Sequence, residues 1–164
     1  MLDVNFIVDS LPRLLPGLLL TVKLSLVGLG LAATIGLPLG ILHVEVDNKL
    51  VRMVIDLYVF FVRGTPILVQ LYGAYFLIPM TGVKISPFWT GVCALVFNSA
   101  GYQIEIARAA VLSIDHGQTE GARALGLSKL KTLRGIILPQ AFPRMLPSLA
   151  NEASNLVKAS SVYQ

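Results

Sequence analysis

Residues 24–42 read LSLVGLGLAATIGLPLGIL, nineteen consecutive positions without a charge. As a helix they are long enough to cross about 30 Å of hydrocarbon. Lys23 precedes the run, and the helix is expected to begin near Leu14, giving a span over about 14–42. Gly28, Gly30, Gly36 and Gly40 lie inside it. Gly28 with Gly36, or Gly36 with Gly40, fall on or near one face. Such spacing either lets a second helix approach closely or is glycine that lipid tolerates. The rest of the chain agrees with a membrane reading. Of 164 residues, 55% are apolar and only 13% are charged, and the mean hydropathy is +0.75. A soluble domain of this length could not wet its surface with so few charges, and disorder is excluded for the same reason. Cys93 is the one cysteine, so there is neither a disulfide framework nor a Cys-based zinc site.

Working outward, the composition predicts an all-α polytopic helical bundle. His43 to Arg52 is a short polar loop. Residues 53–79 form a second apolar stretch, interrupted by Arg63-Gly64-Thr65-Pro66. Pro66 lacks an N–H and restricts Thr65, so the helix kinks or breaks there. From Pro66 to Met80 a helix would reach only about 22 Å, so the span has to begin before Arg63. The break then lies at membrane depth, where protein or water must cover the freed backbone groups. Thr81 to Pro87 is a turn, 88–107 a third span, 108–140 a long basic loop, and 142–162 a fourth and more polar span with Pro143 and Pro147.

Charge is distributed unevenly. Arg108, Arg123, Lys129, Lys131, Arg134 and Arg144 against Asp115 and Glu120 give residues 108–144 a net charge of +4, the net charge of the whole chain. With Lys49 and Arg52 these place the loops at 43–53 and 108–144 in the cytosol. Arg13, Lys84 and Lys158 fall on the other side, so the N-terminus is expected outside. Met1 to Ser10 carries Asp3 and Asp9 and no basic residue, unlike a cleavable signal. No aromatic-basic surface suggests nucleic acid. His43 and His116 have no metal-ligand spacing, and Gly28-x-Gly30 lies within a span, so no catalytic or phosphate-binding site is expected.

The most specific stretch is Glu120-Gly121-Ala122-Arg123-Ala124-Leu125-Gly126, followed nine residues later by Ile136-Ile137-Leu138-Pro139. It predicts two short helices. Thr119 is placed to cap the first, Gly126 to make the turn and Ser128 to cap the second, where Leu130, Leu133 and Ile137 form an apolar stripe. The pattern suits a helix seated in a partner's groove or an amphipathic segment on anionic lipid.

The spacing E-G-A-x3-G-x9-I-x-L-P, with seven positions set over 20 residues, resembles the EAA loop of bacterial ATP-binding-cassette import permeases. Arg63-Gly64-Thr65-Pro66-Ile67-Leu68-Val69-Gln70 and Asn98-Ser99-Ala100-Gly101-Tyr102-Gln103-Ile104-Glu105-Ile106-Ala107-Arg108 resemble stretches of the polar amino-acid branch, the histidine, glutamine, glutamate, arginine and opine type. Pro139-Gln140-Ala141, Arg144, Leu146-Pro147 and Asn151-Glu152 also fit. The resemblance covers about residues 10–160. It implies about four long membrane helices plus a cytosolic coupling helix that docks on an ATPase. Glu120, Gly121, Ala122, Arg123, Gly126 and Lys129 are then the coupling residues. It implies an inner-membrane, multi-pass protein working with a separate ATP-binding-cassette ATPase, a second identical or related permease and an amino-acid-binding protein. ATP and Mg would be used by the ATPase, with no cofactor in this chain. Two departures stand out. Ala159 lies where the branch commonly has an acid, and the family's fifth span is absent from a chain ending at Gln164, which suggests a shortened permease.

Asn98, Tyr102 and Glu105 lie on one face of the third span, and Asn151, Asn155 and Lys158 repeat the spacing on the fourth. Polar stripes in lipid are costly and should face protein or water. They are either interhelical hydrogen bonds, with Glu105 pairing Arg108, or the lining of a path for a zwitterionic amino acid, to which Arg63, the Thr65-Pro66 break and Gln70 would add polar groups. The alternative to a transport subunit is a membrane scaffold that only docks a soluble partner, or an inactive shortened permease. Intramembrane polarity favours transport.

Overall fold

The structure is a computed structural model that describes residues 4–161, with side-chain surroundings for Pro12 and from Leu14 onward. Among the described residues every element is helical: α1 (Val4–Glu45), α2 (Lys49–Gly64), α3 (Ile67–Met80), α4 (Pro87–Leu112), α5 (His116–Ala124), α6 (Lys129–Thr132), a π-helical turn (Leu133–Ile137) and α7 (Leu138–Ser161). The expected span 14–42 lies within α1, 88–107 within α4, and 142–162 within α7 as far as Ser161, Val162 being outside the described residues. The loop at 108–140 is itself mostly helical, and its last residues run through the π turn straight into α7.

The glycines of α1 explain its partner. A methyl group on Gly36 would sit 2.8 Å from the Ala100 carbonyl oxygen and from Gln103 Cβ, and one on Gly40 would collide with the Ile104 carbonyl. Gly28 faces Leu95. The backbones of α1 and α4 therefore approach as closely as helices can, the small-residue packing that replaces the hydrophobic effect in lipid. Gly30 meets nothing within 4 Å and belongs to the tolerated class.

These contacts also set direction. Positions 28, 36 and 40 meet 95, 100–103 and 104–107 in ascending order, so α1 and α4 are parallel. The segment between them has to return the chain across the bundle, and α2 and α3 do so as one crossing broken by a 102° bend. α7 runs the other way along α4. Its Ala141 and Met145 pack with Ala107 and Val111, while Leu156 and Ala159 pack with Leu24 and Leu95. Two apolar cores result, one toward each end. Between them lies a polar layer of Asn98, Ser99, Gln103 and Glu152, all buried.

The outside is inverted relative to a soluble protein. Leu18, Leu26, Leu57, Phe60, Phe76 and Leu77 are all more than half exposed, and only 28% of the apolar window of α1 is buried within the chain. Large apolar groups facing outward around a polar layer suit hydrocarbon as solvent. Gly40→Leu is expected to destabilise the bundle by about 2 kcal/mol or more through overpacking. Gly30→Ala should leave the melting midpoint in detergent unchanged.

Candidate functional site

The break in the second crossing is built from Thr65 and Pro66, both extended, at φ −118°, ψ 137° and φ −60°, ψ 138°. Gln70, one turn into α3, closes it. Its Nε2 donates to the Val62 carbonyl at 2.9 Å, the Thr65 carbonyl at 3.3 Å and the Thr65 hydroxyl at 2.6 Å. The Thr65 hydroxyl in turn donates to the Phe61 carbonyl at 2.9 Å. Gln70 Oε1 accepts from Asn98 Nδ2 at 3.0 Å, tying the corner to α4. Gly101 lets Val62 lie directly against α4, where a Cβ would come within 2.7 Å of Val62 Cγ1. Gln70 is thus the side chain that satisfies the break, and Asn98 is its anchor.

Beside this corner lies a cleft of about 430 Å³, lined by Arg63, Thr65, Pro66, Asn98, Tyr102, Glu152 and Asn155, with Ile67, Leu156, Ala159 and Gly64 completing it. A second cavity of about 360 Å³ continues toward the coupling segment, lined by Arg63, Tyr102, Glu105, Ser113, Arg144 and Ser148 among others. Arg63 and Tyr102 line both. The Arg63 guanidinium carbon sits 5.9 Å from the Tyr102 ring centroid, and its Nη1 is 3.9 Å from Glu105 Oε1. Glu105 is held much more closely by Arg108, at 2.6 and 3.0 Å.

Of the expected path residues, the structure brings Arg63, Thr65, Pro66, Asn98, Tyr102 and Asn155 to one cleft and Glu105 to its neighbour, while Gln70 is taken up by the break and lines neither. Asn151 and Lys158 are exposed and line neither cavity. The face of α7 turned inward carries Glu152, Leu156, Ala159 and Ser160, one residue and so about 100° round from the expected stripe. Glu152 was not singled out by spacing. It is 7% exposed and accepts from the Ser99 hydroxyl at 2.8 Å. Gln103 Nε2 donates to that same hydroxyl at 3.2 Å, while Gln103 Oε1 is buried with no partner among the described residues. An acid inside an apolar span was the available signal. Ala159 is buried against the core and lines the first cleft.

In the segment expected to couple to an ATPase, α5 begins earlier than expected. Its cap is Asp115, whose carboxylate accepts from the Gly117 N–H at 2.7 Å, and Thr119 lies inside the helix. Ser128 precedes α6 without a side-chain capping bond. Gly126 makes the turn with φ +74°, a conformation that favours glycine. Ala122 is buried, whereas Gly121 and Glu120 are exposed, as is Leu125, at 82%. Glu120, Arg123 and Lys129 line a recess of about 350 Å³ between α5, α6 and the ends of α1 and α4. Lys129 turns back into the protein. Its ammonium donates to the Glu45 carbonyl at 2.6 Å and lies 3.5 Å from the Glu45 carboxylate and 3.9 Å from that of Asp47. A cation there also complements the negative end of the α1 dipole. Arg144 ties α7 to the end of α4, donating to the Ser113 carbonyl at 2.6 Å and hydroxyl at 2.9 Å.

Residues 33–163 match the family described as binding-protein-dependent transport system inner membrane component. The chain is 38% identical over 162 residues to a protein of Rickettsia typhi named putative glutamine transport system permease protein GlnP, covering 96% of this chain and 74% of that one. It is 36% identical over 162 residues to the arginine transport system permease protein ArtQ of Bacillus subtilis, covering 98% of this chain and 74% of that one. In three dimensions it is similar to a crystal structure of an amino acid ABC transporter with histidines, with a TM-score of 0.90 and 34% identity, over 99% of this chain and 76% of that chain. The inward-facing MetNI methionine ABC transporter shares the fold, with a TM-score of 0.78 at 24% identity over 93% of this chain and 73% of that one.

Gln70→Leu is expected to strand the carbonyls of the break and the Asn98 amide. Each unmade buried hydrogen bond costs about 1–3 kcal/mol, so the melting midpoint should fall clearly. Thr65→Ser, which keeps the hydroxyl, should melt near the parent.

Proposed function

Because the chain belongs to the family of binding-protein-dependent transport system inner membrane components, and is a permease subunit of an amino-acid ATP-binding-cassette transporter, we propose that it carries a polar amino acid such as glutamine or arginine through the cleft at Arg63, Asn98 and Glu152. As a permease it is a multi-pass inner-membrane protein and not an enzyme, and ATP hydrolysis belongs to a separate subunit. The family implies an ATPase, a second permease and a substrate-binding protein as partners.

The observation that carries the reading is the pairing, in one cleft at membrane depth, of a half-exposed cation with a buried carboxylate. Side-chain exposure of Arg63 is 49% and Glu152 is 7% exposed. Both line the same cavity with the amides of Asn98 and Asn155. A zwitterion needs a cation for its carboxylate, an anion for its ammonium and neutral donors and acceptors between. A scaffold has no use for such a lining, since isolated charges in lipid are expensive. The second permease, identical or related, would close the open side.

The coupling role falls to α5. Its outward side offers Gly121 and Leu125, small and apolar groups that suit a groove on the ATPase. Ala122 and Gly126 hold the helix and its turn, and Glu120, Arg123 and Lys129 work on the recess behind it. ATP with Mg would be bound by the ATPase. Lys129 at the Glu45 carbonyl supports the sidedness read from charge: both basic loops lie at one end, opposite the Thr81–Ser86 turn, so with the basic end in the cytosol the N-terminus would face the periplasm.

In proteoliposomes holding the whole transporter, Asn155→Leu should lower amino-acid uptake about tenfold, as expected for a lost hydrogen bond to a charged group, while the ATPase still copurifies. Unchanged uptake would take the cleft off the path. Glu120→Lys and Gly126→Pro should insert normally yet lose the substrate-stimulated part of ATP turnover. In a Cys93→Ala background, a cysteine at position 84 should label from outside intact cells and one at position 120 should not.

A further inference from the structure

We propose that the second cavity is a release-side station for the substrate, in which Arg144 takes over the amino-acid carboxylate from Arg63. The proposal rests on the transport reading above and adds a binding site to it.

The two cavities meet at one pair of side chains. Arg63 lies over the Tyr102 ring and lines both spaces, so its guanidinium can serve either without leaving the ring. Its charge is only loosely compensated. Glu105 is 3.9 Å away, and both of its oxygens are engaged by Arg108. Arg144, at the far side of the second cavity, is bonded to the neutral carbonyl and hydroxyl of Ser113, and among the described residues no carboxylate lies within 4 Å of it. The second cavity therefore holds two cations and one carboxylate that a third cation already satisfies. That surplus suits an anion of carboxylate size, whereas the first cleft, with Glu152, suits the whole zwitterion. Forked guanidinium donors at both ends favour a carboxylate over an uncharged group.

Arg144 is also where the station meets the drive. Ser113 follows the last turn of α4 and stands just before α5, so a movement of the coupling segment against α7 acts on the Arg144–Ser113 bonds. Breaking them frees donors toward the cavity, and remaking them withdraws donors and releases the carboxylate. An amino acid present at high concentration on the ATPase side should therefore occupy the station and slow the cycle.

The test uses the complete transporter in proteoliposomes with the ATPase outward and the binding protein with L-glutamine or L-arginine inside. The same amino acid is then titrated outside while ATP turnover is followed. External amino acid should slow the stimulated turnover, and its decarboxylated counterpart (γ-aminobutyramide or agmatine) should not. Arg144→Gln and Ala109→Leu, the latter filling the cavity without touching the Ser113 bonds, should each raise the half-inhibitory concentration about tenfold relative to that variant's own uninhibited rate. Asn155→Leu, which lines only the first cleft, should lower stimulated turnover and leave the half-inhibitory concentration in place. Absence of external inhibition in the parent, equal inhibition by the decarboxylated amine, or an unmoved half-inhibitory concentration in both cavity variants would overturn the station while leaving transport intact. Failure of internal amino acid to stimulate turnover in the parent would overturn the transport reading and the station with it.

Discussion

In hydrocarbon a backbone N–H or C=O without a partner costs several kcal/mol, so a chain that breaks a helix there must repair the break with its own groups. Gln70 performs that repair. One amide side chain reaches two carbonyls and a hydroxyl of the corner while its oxygen holds Asn98. The sharp bend between α2 and α3 depends on it, and the cleft depends on the bend. A straight second crossing would lay continuous helix where Arg63, Thr65 and Pro66 now open a space against α4 and α7.

Close backbone approach between α1 and α4 is the other half of the same arrangement. Gly36 and Gly40 bring α1 against α4 at the level of Gln103 and Ile104, and Gly101, about 100° round the helix, does the same for Val62 of α2. With α4 held on two faces, a third is presented to α7. There Ser99 and Glu152 meet in the layer between the two apolar cores. A polar layer confined by apolar packing above and below is strongly localised, because moving it along the bundle axis would bury its carboxyl and amide groups among leucines.

At the basic end, electrostatics and mechanics coincide. The six cations of residues 108–144 were informative as a topological signal, yet in the folded chain several have specific work. Arg108 neutralises Glu105, Lys129 fastens the α5–α6 segment to the end of α1, and Arg144 fastens α7 to the end of α4. Force delivered to α5 would thus reach α1, α4 and α7 together. Gly121 and Leu125 are exposed one turn apart and leave a small, apolar strip on the outward side of α5.

Much of this protein was legible in the order of its residues. A charge-free run from Leu24 to Leu42, the Pro66 interruption and the small-residue spacing of α1 follow from hydropathy, a missing N–H and a missing Cβ, properties local to a few residues. The loop from Glu120 to Pro139 resembled the family strongly enough to imply its role, and Gly126 adopts the positive φ its position suggested. Local reading failed where rotation about a helix axis mattered. Spacing alone grouped Asn155 with Asn151 and Lys158, but the packing of Leu156 and Ala159 on α4 turned α7 by about one residue and brought Glu152 inward instead. Likewise Lys129 was grouped with the coupling residues, and only the fold sets its ammonium against the end of α1; Gln70 read as lining until the bend was seen to need it. Periodicity states which residues share a face. Which face is buried is decided by what the neighbouring helices bring to meet it, and that information is held in contacts between residues far apart in the chain.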